Sequence, residues 1–351
     1  MKKRVLIAPL DWGLGHATRC IPLINKLLAQ GATVIIATNG RAYDLLKGEF
    51  PGLTIEKLPA YGIRYWFHNM LLNIAIQLPN IIWAFVAEYF QTQKLLRRYQ
   101  IDLIISDNRF GCFSKKTKSI FVTHQINILI PNLILRRVAN FLNKGIISQF
   151  DACWIPDFPP PGSLTGALSG NQLPCVRYIG ILSRFVALNL PIEYDAIAVL
   201  SGPEPQRTYL ENKLLAQMKG LPYHFLLVQG KSEQSQQPRQ LGNITLITHL
   251  RSLELQRAIA ASGFVICRSG YSSIMDLAAM GKRALLIPTP GQTEQAYLAA
   301  RLSADGICLQ QNQSALNLPS AFEQISLYSG FDPQKLNAEI LLEEAMMSLE
   351  K

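Results

Sequence analysis

Short apolar runs alternate with longer stretches of helical periodicity along the chain. Val5 to Pro9, Thr33 to Thr38, Leu53 to Leu58, Ile101 to Ser106, Ile120 to Thr123 and Ala152 to Ile155 read as buried strands. Between them, about His16 to Gln30 and Arg41 to Lys47 read as helices, the first stopped by Gly31. Residues 156 to 174 are rich in Pro, Gly and Ser, which marks a loop, and the alternation then restarts. Ala196 to Leu200, Phe225 to Val228, Ile244 to Ile247, Gly263 to Cys267 and Ala284 to Ile287 are the second set of strands, and Pro333 to Leu349 is a helical tail. Strands that are apolar on both faces and alternate with helices predict parallel sheets covered on both sides. The expectation is an α/β chain of two Rossmann-like parallel-sheet domains facing across a cleft. They span 1–183 and 184–328, with a helical tail at 329–351, and ligands should bind outside the carboxyl ends of the strands.

Composition narrows the class. The chain has 351 residues, enough for two cores, and 49% hydrophobic with 17% charged residues excludes a disordered protein. The net charge of +10 points to an acidic partner, such as nucleotide phosphates or an anionic membrane surface. No compact run of Lys and Arg with interleaved aromatics marks a nucleic-acid face, so nucleic acid is not expected as a partner. The six cysteines are scattered without a Cys-x-x-Cys pair, as in reduced cytoplasmic proteins. The apolar run after Met1-Lys2-Lys3-Arg4 stops at Asp11, too short for a secretory leader.

The strongest chemical signal is Arg268-Ser269-Gly270-Tyr271-Ser272-Ser273, between the strand ending at Cys267 and a helix from Ile274 to Met280. A glycine and small hydroxyl residues at a helix N-terminus favour an anion, most often phosphate, because the amides and the helix dipole point the same way. Ser201-Gly202 after an earlier strand is a second phosphate-loop candidate or an ordinary turn. Asp276 lies in reach of a sugar hydroxyl beside such a phosphate, or serves the helix start in a Ser273-x-x-Asp276 capping box. Glu294 and Gln295 open another helix and either hydrogen-bond sugar hydroxyls or form a solvated first turn.

In the first half, Gly13 and Gly15 allow close backbone approach and His16 follows at the mouth of a helix. Imidazole suits a general base for a hydroxyl nucleophile, although a helix-start histidine also serves simply to turn the chain. Asp107 ends a strand whose carboxyl edge is that of His16, where it would orient the imidazole or cap a turn. His124 falls on the same edge as a substrate contact or a structural residue. No Asp-x-Asp and no cluster with metal-ligand spacing occurs in the sequence, so neither a metal nor a cofactor is expected.

Residues 61 to 90 hold Tyr65, Trp66, Phe67, Trp83, Phe85, Tyr89 and Phe90 among many Leu and Ile, with Lys94, Arg97 and Arg98 following. Asn73, Gln77, Pro79, Asn80 and Glu88 interrupt the segment, so it is no clean spanning helix. It fits either an interfacial surface resting on anionic lipid or a buried core helix with a solvated end. Ile128 to Leu142, with Arg136 and Arg137, has the same character.

With these motifs in order, the chain resembles the GT-B glycosyltransferases, especially the MurG-like group that adds N-acetylglucosamine to a lipid-linked acceptor in the cell envelope. Ile266 to Gly270, Asp276 to Gly281, Leu286-Ile287-Pro288 and Glu294-Gln295 follow that family's donor-binding series. The resemblance implies Arg268, Ser269 and Gly270 near a donor diphosphate and Asp276 near the ribose. It also implies Glu294-Gln295 near the donor sugar, His16 in the glycine-rich acceptor-side loop and His124 in an acceptor-side segment. Asp276 stands where the family has glutamate, and Glu294-Gln295 where paired glutamines are common. Gly13-x-Gly15-His16-x-x-Arg19-Cys20 is also similar to the nucleotide-sugar hydrolases of nonulosonic acid synthesis. The expected function is therefore metal-independent transfer from a nucleotide-diphosphate sugar, a UDP-sugar, to an acceptor hydroxyl that is carbohydrate or lipid-linked. The expected location is the cytoplasm or the inner membrane face. A hydrolase, a 2-epimerase or a non-catalytic nucleotide-binding protein on the same fold are the alternatives.

Overall fold

The computed structural model describes residues 2–61, 70–170, 173–231, 237–333 and 338–347, without the side chains of 70–76 and 338–339. Two compact units emerge: Met1–Leu182 with Asn337–Lys351, and Ser183–Leu336.

The first unit contains β1 (Arg4–Pro9), α1 (Leu14–Ala29), β2 (Thr33–Thr38), α2 (Gly40–Glu49), β3 (Thr54–Lys57) and α3 (Met70–Tyr99). It continues through β4 (Leu103–Asp107), β5 (Lys118–Val122), α4 (Leu133–Ile147), β6 (Ala152–Ile155) and β7 (Val176–Tyr178). Its seven strands run in the order β3-β2-β1-β4-β5-β6-β7, all parallel. Strand order reverses at β1 and β4, the switch point where ligands of open α/β sheets bind. The register pairs Pro9 with Asp107, and Asp107 with Val122, so the loops leaving β1, β4 and β5 start side by side. β1 is buried from Val5 onward, as a strand covered on both faces must be.

The second unit contains β8 (Tyr194–Val199), α5 (Gln206–Met218), β9 (Phe225–Val228), β10 (Arg239–Leu241), β11 (Ile244–Ile247), α6 (Ser252–Ala260) and β12 (Ser262–Cys267). α7 (Tyr271–Met280), β13 (Ala284–Leu286), α8 (Thr293–Ala304), β14 (Leu309–Gln310) and α9 (Leu318–Gln324) follow. The order β10-β11-β9-β8-β12-β13-β14 again reverses at the first strand, β8, against β12. Gly230 leaves β9 with positive φ, and a Cβ there would collide with the Leu200 carbonyl, so the chains leaving β8 and β9 touch only because this residue is glycine. The core lies on the sheet under α5 and α9, around Phe225, Leu210, Leu214, Phe264 and Leu318.

Several expectations change. The second sheet is not wholly parallel, because β10 runs antiparallel to β11 on the edge. β7, β10 and β14 have only three, three and two residues, too few to stand out as apolar runs. α7 starts at Tyr271, so Ser272 and Ser273 belong to its first turn and not to a loop. The tail also divides. Phe331 and Pro333 stay with the second unit, Pro333 lying against the left-handed Gly281 that ends α7. α10 (Ala338–Met347) returns to the first unit beside β7, burying Leu342, Ala345 and Met346, with an ion pair from Lys26 to Glu343.

Candidate functional site

In the first unit, α1 begins at Leu14 with Gly13 before it, so Gly15 and His16 lie in the first helical turn. Gly13 has φ 152°, a backbone that L side chains rarely adopt, and this sets the entry into α1. His16 is 19% exposed and its Nδ1 lies 2.9 Å from Asp107 Oδ1. Asp107 itself is fully buried at the end of β4. Three residues beyond His16, Arg19 turns a guanidinium that is only 2% exposed onto the same carboxylate. Its Nε donates to Asp107 Oδ2 at 2.5 Å and its Nη2 to Oδ1. Arg19 Nη1 lies 3.0 Å from Nδ1 of His124, which follows β5. Cys20 Sγ donates to Asp107 Oδ2 at 3.5 Å.

Burial disfavours the Asp107 carboxylate, but Arg19 and then His16 outweigh it and hold the group far below the ordinary carboxylate range. His16 is lowered from its ordinary value, first by burial and then by Arg19, against the raising effect of Asp107. The imidazole is therefore neutral at neutral pH, with a base's lone pair available. Burial and Asp107 push the Cys20 thiol well up, so it is a weak donor here and not a nucleophile.

A second buried pair stands behind the β1 loop. Asn108 takes the left-handed conformation, which asparagine tolerates, and turns the chain so that Arg109 points inward. The guanidinium of Arg109 donates to Pro9 O at 2.9 Å, Pro59 O at 3.1 Å and Glu88 Oε1 at 2.7 Å. Its Nη2 lies 3.3 Å from Asp11 Oδ1. Glu88 Oε2 accepts from Tyr61 and from the Gly111 amide. Gly111 is required there, since a Cβ would come within 2.5 Å of the Phe85 carbonyl oxygen. These contacts fix the ends of β1 and β4 against α3.

Sequence reasoning assigned no role to Arg19, Glu88 or Arg109. Arg19 did carry a signal, since a cation stands among Ala17, Cys20, Leu23 and Ile24 on the apolar face of α1. Glu88 and Arg109 had none, because their pairing depends on how α3 crosses the sheet.

In the second unit, Gly270 N-caps α7 and Ile274 N returns to its carbonyl. Ser201 and Gly202 follow β8 on the neighbouring strand, exposed, with Gly202 at φ 102°. The expected diphosphate contact from Arg268 takes a different form. Its guanidinium is buried, donating to the carbonyls of Ile287, Pro288 and Gln206 and to Gln313 Oε1. Arg268 thus ties the loops after β8, β12 and β13 together, and burial lowers it to about 10. Ser269 Oγ donates to Gln295 O, while the Gln295 amide accepts from Thr289 N and donates to Gln292. Arg268, Ser269 and Gln295 therefore shape the loops, and Ser272, Ser273 and Glu294 lie in the first turns of α7 and α8. Asp276 Oδ1 accepts from Ser183 Oγ at 2.6 Å beside an apolar cavity of about 50 Å³ lined in part by Phe185, Val199 and Ile259. Burial there raises the carboxyl to about 6, against the lowering effect of Arg184.

The aromatic segment divides by face. Tyr65, Trp66 and Phe67 and the side chain of Asn73 lie outside the described residues. On α3, Gln77, Ala84 and Glu88 are buried while Ile82, Val86 and Phe90 are exposed and Trp83 is 67% exposed. On α4, Leu133, Val138 and Leu142 are exposed, with Ile134 at 73% and Phe141 at 78%. Beside them Arg136, Arg137 and Lys144 line a groove of about 410 Å³. Phe85 is half-buried and so belongs only partly to that face. Among the described residues, no helix is long and apolar enough to cross a membrane.

Residues 204–339 match the glycosyltransferase family 28 C-terminal domain, a span that runs from the loop after β8 past α9. The chain is a glycosyltransferase of the GT-B fold and is similar to MurG. An uncharacterized glycosyltransferase of Methanosarcina acetivorans is 24% identical over 86% of this chain and 84% of its own length. The UDP-N-acetylglucosamine--N-acetylmuramyl-(pentapeptide) pyrophosphoryl-undecaprenol N-acetylglucosamine transferase of Halalkalibacterium halodurans is 20% identical over 89% and 86%. Among solved structures, MurG of Acinetobacter baumannii superposes with a TM-score of 0.57 at 14% identity, over 99% of this chain and 95% of that one. The calicheamicin glycosyltransferase CalG4 gives 0.65 at 13% identity, over 100% and 98%. As a glycosyltransferase, this GT-B chain takes a nucleotide-sugar donor and an acceptor.

Proposed function

We propose that this glycosyltransferase moves a sugar from a UDP-sugar to a hydroxyl of a lipid-linked acceptor, by direct displacement with His16 as base and without a divalent ion. The observation that carries the reading is the 2.9 Å contact between His16 Nδ1 and Asp107 Oδ1 at the switch point of the first sheet. A carboxylate on Nδ1 keeps a proton there and leaves Nε2 as the acceptor. The acceptor oxygen attacks the anomeric carbon, its proton passes to His16 Nε2, and the bond from the sugar to the diphosphate breaks. Gly13 and Gly15 give the acceptor side its backbone freedom, and His124 completes that side.

The donor half of the proposal rests on the family match and on the named activities of the relatives. The diphosphate meets the α7 N-terminus at Gly270, Ser272 and Ser273 and the Ser201-Gly202 loop, where amides and the helix dipole offset the leaving charge. Arg268, Ser269 and Gln295 hold those loops in shape. Asp276 takes the ribose, sharing its carboxylate with Ser183, and Glu294 faces the donor sugar. The exposed apolar faces of α3 and α4, with their neighbouring cations, support seating on an anionic membrane at the inner face.

General-base assistance contributes about a hundred- to ten-thousand-fold. His16→Ala should therefore lose turnover by that factor, measured as UDP release with EDTA present, while UDP still raises the melting temperature. Near-normal turnover would remove His16 from the mechanism. The run from His16 to Cys20, now seen around Asp107, equally suits a hydrolase that activates water. Free sugar formed without any acceptor would establish that second reading.

A further inference from the structure

We infer that Arg19 is a positioning residue that gives His16 and His124 opposite proton assignments, so that of these two rings only His16 offers a lone pair at Nε2. The inference rests on the reading of His16 as base and asks how the molecule selects it over the second histidine.

A guanidinium has five N–H donors and no acceptor. Nη1 of Arg19, 3.0 Å from His124 Nδ1, therefore makes that nitrogen the acceptor. A neutral His124 ring accepting at Nδ1 carries its proton on Nε2 and is a donor there. The opposite holds at His16. Its Nδ1 lies 2.9 Å from Asp107 Oδ1 and also 2.9 Å from Arg19 Nη2. A lone pair on Nδ1 would face an ionised carboxylate, whereas an N–H there satisfies it. Nη2 carries two hydrogens, one of them donated to the same oxygen, and it is the ionised carboxylate that decides the Nδ1 proton against the other. His16 thus carries its proton on Nδ1 and accepts at Nε2.

Among the described residues, the charged and titratable groups in hydrogen-bond contact with the pair are Asp107 from β4, Arg19 and Cys20 from α1, and the two rings themselves. In a plain carboxylate–histidine pair the full negative charge stabilises the imidazolium. Here the carboxylate is gripped through both oxygens by Arg19, so it orients His16 with much of its charge offset. His124 then has no lone pair at Nε2 with which to take a proton.

The test uses the full chain with 15N-labelled histidine and long-range 1H–15N correlation, which reads ring tautomers with no substrate present. His16→Gln and His124→Gln spectra assign the two rings. The expected spectrum has the His16 proton on Nδ1 and the His124 proton on Nε2. In Arg19→Lys a single ammonium cannot fork to Asp107 and reach His124 as well. The His124 ring should become a tautomer mixture, and the His16 titration midpoint should rise as Asp107 is freed from the fork. The acid limb of the rate profile should move up with it, because the base must be neutral to act. A wild-type spectrum with both rings in the same tautomer overturns the inference. So do unchanged tautomers in a folded Arg19→Lys or Arg19→Met protein. Should both variants unfold, the wild-type spectrum still decides. Failure of the transferase reading would appear in product analysis and leave these tautomers untouched.

Discussion

Asp276 is a carboxyl whose ionisation costs the fold stability. It keeps its proton up to about 6, whereas an ordinary aspartate ionises near 3.8. Between those values the folded state holds more protons than the unfolded state, so stability falls as pH rises through that window and stays reduced above it. Asp276→Asn removes the penalty while still accepting from Ser183. Its melting temperature should match wild type below pH 4 and exceed it at pH 7, in differential scanning calorimetry without ligand. Equal melting temperatures at both pH values would show that the carboxyl is not held neutral. Asp107 is the contrasting case. It is more deeply buried still, but Arg19 stabilises its charge, and no single-residue pattern in the sequence separates the two. The difference lies in what the third dimension brings beside each carboxylate.

Among the helices, α4 departs most from the usual pattern. An amphipathic helix on a globular protein buries an apolar stripe, yet here Leu133, Ile134, Val138, Phe141 and Leu142 face outward and Asn143 and Ile147 face in. α3 does the same at Ile82, Trp83, Val86 and Phe90, while its buried Glu88 locks it to Arg109. Exposed apolar area of this kind marks an interaction surface. Trp83→Asp with Phe141→Asp should abolish flotation with anionic liposomes and leave the far-UV spectrum unchanged. Flotation equal to wild type would discard the membrane surface. The composition of these segments was plain in the sequence. Their orientation was not, because an apolar helix reads alike in a core and on a surface.

At the scale of the whole molecule, the chain leaves the first unit at Leu182 and returns to it at Asn337. α10 therefore belongs with the sheet that the N-terminus begins, where it buries Leu342, Ala345 and Met346. Burying a Leu or Met side chain contributes about 1.5–3 kcal/mol. Deleting residues 337–351 should speed amide hydrogen exchange in β7 and α1 while β8 and β12 keep their rates. Equal loosening of both sheets would contradict this division. The helical pattern of the tail was visible in the sequence, but its docking place was not.

Two repeating series of apolar strands and helices, each with its chemistry at strand ends, were determined by the sequence alone. Continuous Val/Ile/Leu runs of five or six residues have few stable homes other than parallel strands buried on both faces, and a glycine at a helix start or stop acts locally. For the same reason Thr33–Thr38, Ala152–Ile155, Phe225–Val228 and Ile244–Ile247 fall where their residues predict. Tertiary structure decided which strand ends meet. His16, Asp107 and His124 are far apart in the chain and become neighbours because β1, β4 and β5 pair in that order. It also decided that Arg19 closes on Asp107 and that Arg268 turns inward. Hydrogen bonds of buried cations go to whatever acceptors the packing supplies, and sequence spacing carries no record of those.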